Sequence, residues 1–322
     1  MLLQYSTSPH IRINNTTKKI MINVCLALLP ATVMGIILFG YLALLTVAVS
    51  VVSAIASEFL YQRAMGVSFK QTFLDFDYST VVTGLIVALI LPVNVYLYIP
   101  ALASIFAIVV CKMLFGGTGN NFVNPAVTGR IFVFISFSSI LNTYVAPSIS
   151  NINPTVISGA TSLQSFLNDG SSLSILDLFL GTGVSGCIGE TCKLAILIGA
   201  IYLSVKKIIK IWLPLITLVF AGITAVMLNG FELSIFLPAI LSGGLFFGAF
   251  FMATDYVTNP ITIFGQVIFF ALFGVLTSIL RQFTGFETAS FALLIMNILV
   301  PLIDKLPARK PFGYKKIKGY SR

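Results

Sequence analysis

Ten apolar runs, each near the length a helix needs to cross a bilayer, dominate this sequence. They fall at about residues 20–38, 41–60, 79–98, 100–115, 126–141, 193–205, 211–228, 233–253, 261–280 and 288–303. A hydrocarbon layer takes roughly 20 residues of helix. Within it, only helices and closed barrels satisfy every backbone polar group. Barrel strands alternate apolar and polar residues, whereas residues 195–205 are apolar on every side, so helices are expected. A mean hydropathy of +1.02, with 57% hydrophobic and 9% charged residues, excludes a soluble domain.

The net charge is +9 and the pI near 9.4. In a soluble protein this would raise nucleic acid as a partner. Here the basic residues sit at the ends of apolar runs and in the tail (Lys305, Arg309, Lys310, Lys315, Lys316, Lys318, Arg322). They read as topology anchors that touch anionic membrane lipid, and no nucleic acid partner is expected. With the N-terminus inside and spans alternating, only Lys193 and Arg281 of the 19 Lys and Arg land outside. The chain then divides into a cytoplasmic arm (1–19), a five-helix half (20–141), an extracytoplasmic loop (142–192), a second five-helix half (193–304) and a basic cytoplasmic tail (305–322). Both termini are cytoplasmic in this reading. The first twenty residues are polar and basic, unlike a cleavable signal peptide.

One His and four Cys offer no zinc or haem spacing, so no metal site is expected. Cys25 and Cys111 fall within apolar runs. Cys187 and Cys192 flank Ile188-Gly189-Glu190-Thr191 on the outer side, where a disulfide between them stays open.

A faint internal repeat is visible. The third run holds Thr83-Gly84 before a break at Pro92, and the eighth holds Ser242-Gly243 before a polar stop at Thr254-Asp255. These are the third helices of two halves, and an odd number of spans per half inverts one against the other. Broken helices at matching positions of inverted halves meet near the midplane and line a site. Tight helix packing explains the same glycines equally well.

Two stretches invite chemistry. The long loop has no Lys or Arg between Arg130 and Lys193, and it carries Ser158-Gly159-Ala160-Thr161. These small polar residues leave the Thr161 hydroxyl open to an enzyme, though an ordinary turn would look the same. On the inner side, Lys112 precedes Gly116, Gly117, Thr118, Asn120, Asn121 and Asn124. A glycine-rich turn offers backbone N–H groups to an anion or a polar ring edge. Asparagines both donate and accept. A connector that merely packs is the plainer reading. Thr254 and Asp255 share that side, where Asp255 also suits a helix cap. Glu190 and Thr191 precede the sixth run, and Glu190 suits the positive end of that helix. Arg281 and Glu287 read as interfacial charges. No residues pair as nucleophile and base, so no catalytic residue is expected.

Taken together, these blocks resemble the RnfD/NqrB family: the D subunit of Rnf-type ion-translocating oxidoreductase complexes and the B subunit of the sodium-pumping NADH:quinone oxidoreductase. The resemblance covers nearly the whole chain in order. It includes Asp77, Ser79, Val82-Thr83-Gly84 and Leu91-Pro92. It continues through residues 115–126, the Gly-x-x-Gly-Glu-Thr segment from Gly186 to Thr191, Phe251-Met252-Ala253-Thr254-Asp255, and Phe291-Ala292 with Met296-Asn297, Pro301 and Asp304. Ser158-Gly159-Ala160-Thr161 is similar to the family's flavinylation motif.

The resemblance implies FMN joined to Thr161 by a phosphoester bond, with Ser158, Gly159, Ala160, Glu190 and Thr191 around it. It also implies a second, non-covalent flavin (riboflavin), for which Lys112, Gly116, Gly117, Thr118, Asn120, Asn124, Thr254 and Asp255 are candidates. Its implied partners are a flavin transferase outside the membrane and the A, B, C, E and G components of the complex, in the cell membrane of a bacterium or archaeon. The implied activity is electron transfer between ferredoxin and NAD, coupled to Na⁺ or H⁺ movement. The expected fold is all-α: about ten transmembrane helices as two inverted five-helix halves, as in urea channels. The short N-terminal arm favours the Rnf-type protein. Three positions depart from the family pattern: Thr155 stands where relatives have Asp, Ser162 where they have Pro, and Tyr256 where they have Pro. The rival reading is a cofactor-free channel or transporter for small solutes on the same architecture.

Overall fold

The computed structural model describes residues 16–74, 76, 78–145, 147, 158–159, 174–284 and 287–306. Within them, all ten apolar runs contain helix. The helices are α1 (Thr17–Phe39), α2 (Tyr41–Ala64), α3 (Phe69–Leu74), α4 (Ser79–Leu89), α5 (Tyr98–Ile108), α6 (Pro125–Ser136), α7 (Ser138–Leu141), α8 (Ile175–Leu180), α9 (Lys193–Val205), α10 (Trp212–Leu228), α11 (Phe236–Leu241), α12 (Leu245–Phe247), α13 (Ile263–Thr284) and α14 (Ala289–Ile303). Two π-helical turns, Val109–Met113 and Gly248–Met252, continue α5 and α12.

On α1 and α2 many large apolar side chains face outward while small and polar residues gather inside. Along α2 the buried positions are Ala43, Thr46, Val47, Ser50, Ala54, Ser57 and Glu58, while Leu44, Leu45, Val52 and Leu60 face outward. Along α1, Ala27, Ala31 and Gly35 face in, and Leu26, Leu29, Val33 and Ile37 face out. Large apolar side chains on the outside and small or polar ones inside suit lipid as the solvent, because tail-facing Leu costs nothing and close helix contact needs small residues.

The spans are less uniform than the hydropathy suggests. Among the described residues, only α1, α2 and α13 are individually long and apolar enough to cross a membrane. The pair Leu233–Leu241 and Leu245–Met252, bent by 69°, makes a fourth when counted as one broken span. Six other apolar helices are shorter, among them α4, which ends at Leu89 rather than near residue 98. Pro92 accounts for that stop: proline cannot continue an α-helix, and the residue before it is pushed out of helical geometry.

The order of packing repeats. In the first half α2 packs on α4 and α5, α5 on α6, and α4 on α1 and α6. In the second half α10 packs on α11 and α13, α13 on α14, and the broken α11–α12 segment with its π-turn on α9 and α14. The two halves join where their first helices meet, α1 on α9, and where their last helices meet, α6 on α14.

Gly199 sets the α1–α9 spacing, since a Cβ there would collide with the Ala27 carbonyl and press on the Phe251 ring. Gly199→Leu is therefore expected to part the halves. It should cost about 1–3 kcal/mol or more by overpacking, read as loss of chain in membranes and a lower melting temperature in detergent.

Candidate functional site

The seam between the halves carries two polar assemblies. The first is a cleft of about 820 Å³, open mouth included, lined from both halves. Asn124 builds one wall. As N-cap of α6 it accepts from the backbone N–H groups of Ala126 (3.0 Å) and Val127 (3.4 Å), with Pro125 at the first helical position. Its amide nitrogen donates 3.2 Å to the Met252 carbonyl, tying α6 to the second π-turn. The first π-turn delivers Lys112, whose ammonium donates to Ser79 and Thr80 at 2.7 Å each and lies 3.6 Å from Glu58. Thr80 also donates to Glu58. Wide π-turns of this kind recur at functional sites, because they offset a side chain from the helical register.

Thr118, Asn121, Thr254 and Asp255 add polar groups to the lining, and Val82, Ile86, Ile208, Phe251 and Val257 add apolar ones. The Asp255 carboxyl is lifted above its ordinary range by burial, and backbone N–H groups of Val257 and Tyr256 and the Thr258 hydroxyl pull it back. Tyr256 folds over the mouth and donates to the Ile208 carbonyl. A lining that combines apolar side chains with a few polar groups fits a flat heterocycle with hydrogen-bonding edges, such as a flavin.

Of the inner candidates, Lys112, Thr118, Asn124, Thr254 and Asp255 converge on this cleft, with Gly119 and Asn121 beside them. Gly116, Gly117 and Asn120 do not line it; Asn120 donates back to the Gly116 carbonyl and closes the turn.

The second assembly joins the two helix breaks. The segment around Glu190 passes between them. Its Ile188 and Gly189 N–H groups donate to Leu91 (3.2 Å) and Leu89 (2.7 Å), capping the carbonyls that α4 leaves free. Across the seam, the Glu190 carboxylate lies against Gly244 and the Glu287 carboxylate against Gly243, leaving no room for a Cβ at either glycine; Gly243 has φ 61°. Arg130 reaches Glu190 at 3.7 Å and donates to Ser290 at 2.8 Å. Arg281 pairs with Glu287 at 3.1 Å and donates to the Ala239 and Ser242 carbonyls at the C-terminal end of α11. Lys193 donates to the Glu190 and Thr191 carbonyls.

This network corrects two readings. Arg281 and Glu287, expected as interfacial charges, are 4% and 8% exposed. Glu190 lies not only at the start of α9 but in an ion pair with Arg130. Arg130 and Glu58 were missed, although each is a charge inside an apolar run, which is itself the cue. Thr191 is buried and donates to the Ile188 carbonyl. Cys187 and Cys192 are both free and buried, so no disulfide joins them.

Ala160, Thr161 and Thr155 lie outside the described residues, as do the arm before residue 16, Asp77 and the tail after residue 306. Ser158 and Gly159 form a short strand, β2 (Ser158–Gly159), paired antiparallel with β1 (Tyr144–Val145), so that Gly159 faces Tyr144. Tyr144 is buried within electrostatic reach of Arg130, Cys187, Glu190 and Glu287. The start of the motif is thereby anchored next to the charged seam.

Residues 4–313 match the family described as NQR2, RnfD, RnfE. The D subunit of the Na(+)-translocating ferredoxin:NAD(+) oxidoreductase complex of Acetobacterium woodii is 39% identical over 320 residues, covering 98% of this chain and 97% of that protein. The D subunit of the proton-translocating ferredoxin:NAD(+) oxidoreductase complex of Clostridium ljungdahlii is 35% identical, covering 97% and 96%. The D subunit of the ion-translocating oxidoreductase complex of Stutzerimonas stutzeri is 34% identical, covering 94% and 93%.

Proposed function

The chain belongs to the NQR2, RnfD, RnfE family, and on that premise we propose that it is the multi-pass D subunit of an Rnf-type ferredoxin:NAD⁺ oxidoreductase, working as a flavin-carrying electron conductor in the membrane. FMN is held covalently at Thr161 on the outer side, and a second flavin, riboflavin, sits in the inner cleft. The flavins supply the redox chemistry, and the chain supplies position and electrostatics. The observation that carries this reading is the convergence of Lys112, Thr118, Asn124, Thr254 and Asp255, from both halves, on one cleft.

In this arrangement Asn124 and Thr254 hydrogen-bond the ring edge, Phe251 and Ile86 cover its face, and Lys112 and Asp255 set the local charge. Ten spans in two inverted halves, with both termini cytoplasmic, agree with the repeated packing order and the charge bias. The A, B, C, E and G components and a flavin transferase are the partners. Relatives of this chain are named for Na⁺ in one case and for protons in another, so likeness alone does not select the ion. The channel reading gains no support from the seam, where ion pairs and apolar side chains meet.

Acid denaturation of the purified complex tests the inner flavin. Wild type is expected to release riboflavin in proportion to this chain. Asp255→Ala combined with Asn124→Ser should weaken retention about tenfold or more, the scale of losing hydrogen bonds from a buried polar site. Unchanged release from the double variant would remove the cleft from the proposal.

A further inference from the structure

The location of Lys193 is anomalous. It is the first residue of α9, where the helix N-terminus repels a cation, and it is 1% exposed. Its hydrogen-bond partners are oxygens of the main chain: the Glu190 carbonyl at 2.5 Å and the Thr191 carbonyl at 3.5 Å. The Glu190 and Glu287 carboxylates lie within its electrostatic reach. Arg281 does the equivalent at the break between α11 and α12, where it takes the Ala239 carbonyl at 3.0 Å and the Ser242 carbonyl at 3.2 Å. Unwound carbonyls and half-helix C-termini, backed by carboxylates, are the ligands that broken membrane helices offer to a mobile alkali cation.

We infer that Lys193, on the unwound carbonyls before α9, and Arg281, at the break between α11 and α12, are tethered cations that occupy alkali-ion positions on the seam, so that the seam of this protein is sealed against ion flow. The ammonium and guanidinium satisfy the same oxygens that Na⁺ would, but they are covalently fixed and cannot move on. Glu287 pairs with Arg281, the Glu190 carboxylate lies within electrostatic reach of Lys193, and Arg130 anchors Glu190 in turn. The coupling ion of the complex therefore travels outside this seam. The inference rests on the membrane placement of the chain and not on its flavins.

The test uses the whole complex in proteoliposomes, without electron donors, and measures passive Na⁺ entry. Wild type and Lys193→Arg should be equally tight, because each keeps a cation on the carbonyls. Lys193→Ala should admit Na⁺ at least about tenfold faster, the equivalent of about 1.4 kcal/mol off the barrier to entry. Its melting temperature should also rise when NaCl replaces choline chloride at equal ionic strength, as free Na⁺ fills the vacated site, whereas that of wild type should not move. Lys193→Gln keeps polarity without the charge, one atom shorter, and carries the same two expectations should the alanine variant fail to assemble. Arg281→Gln repeats the test at the second break. Neutral variants as tight as wild type and indifferent to Na⁺ would overturn the inference, as would a Lys193→Arg complex that leaks like Lys193→Ala. Gel fluorescence of the denatured chain reports the covalent flavin separately, so either reading can fail alone.

Discussion

Replacing Thr161 with Ala, in cells that co-express the flavin transferase, is expected to turn a fluorescent denatured gel band dark. The phosphoester needs the Thr161 hydroxyl as its oxygen, and alanine has none, so the loss should be complete rather than graded. Thr161→Ser keeps the hydroxyl and should retain fluorescence above that of the alanine variant. The chain should still accumulate in each case, because Thr161 belongs to a polar stretch of the sequence outside the apolar runs, and substitutions away from packed features are usually within about 0.5 kcal/mol. Accumulation of an intact, dark band from the wild type would end the covalent assignment. A fluorescent Thr161→Ala band would move it to another hydroxyl.

The second large effect is expected at Arg281. Arg281→Met leaves the Glu287 carboxylate buried without its 3.1 Å partner and uncovers the Ala239 and Ser242 carbonyls. Removing one member of a buried pair costs about 3–5 kcal/mol, chiefly because the remaining charge stays out of water. The melting temperature of the detergent-solubilised complex should fall sharply, or the chain should vanish from membranes. Adding Glu287→Met should recover part of the loss, since apolar replacement of a whole buried pair is often close to neutral. Recovery should be incomplete, because Glu287 also accepts from the Ala289 N–H at 3.2 Å. A single variant as stable as wild type would show that the break does not depend on the pair.

Much of the fold was legible because hydropathy is a local property. The positions of the apolar helices and the break at Pro92 can be read from runs of residues and from a single proline, whereas the bend at Ser242–Gly244 lies twelve residues before the polar stop at Thr254 and its glycines suit tight packing equally well. The inner site was partly legible: Lys112, Asn124 and Asp255 were distinguished by type, and they do converge. Gly116, Gly117 and Asn120 looked the same on paper but close their own turn instead. The charged seam was the least legible. Arg281 and Glu287 sit at the ends of apolar runs, where charges usually meet water and headgroups. Nothing adjacent to them in the chain signals that α11 ends beside them.

The sequence by itself determined that this is a helical membrane protein of about ten apolar segments. It also determined that its longest polar loop lacks positive charge, and that Ser158 to Thr161 and the segment from Lys112 to Asn124 are the places to look. The first two follow from composition and spacing within a short window; the choice of sites rests on the resemblance to the family. Only the tertiary structure decided that Glu190 lies against Gly244, that Arg130 pairs with Glu190, and that Arg281 takes the carbonyls where α11 ends. Those partners come from separate helices, and their pairing depends on how the halves pack. In a low-dielectric interior a charge is retained only where such a partner is brought to it.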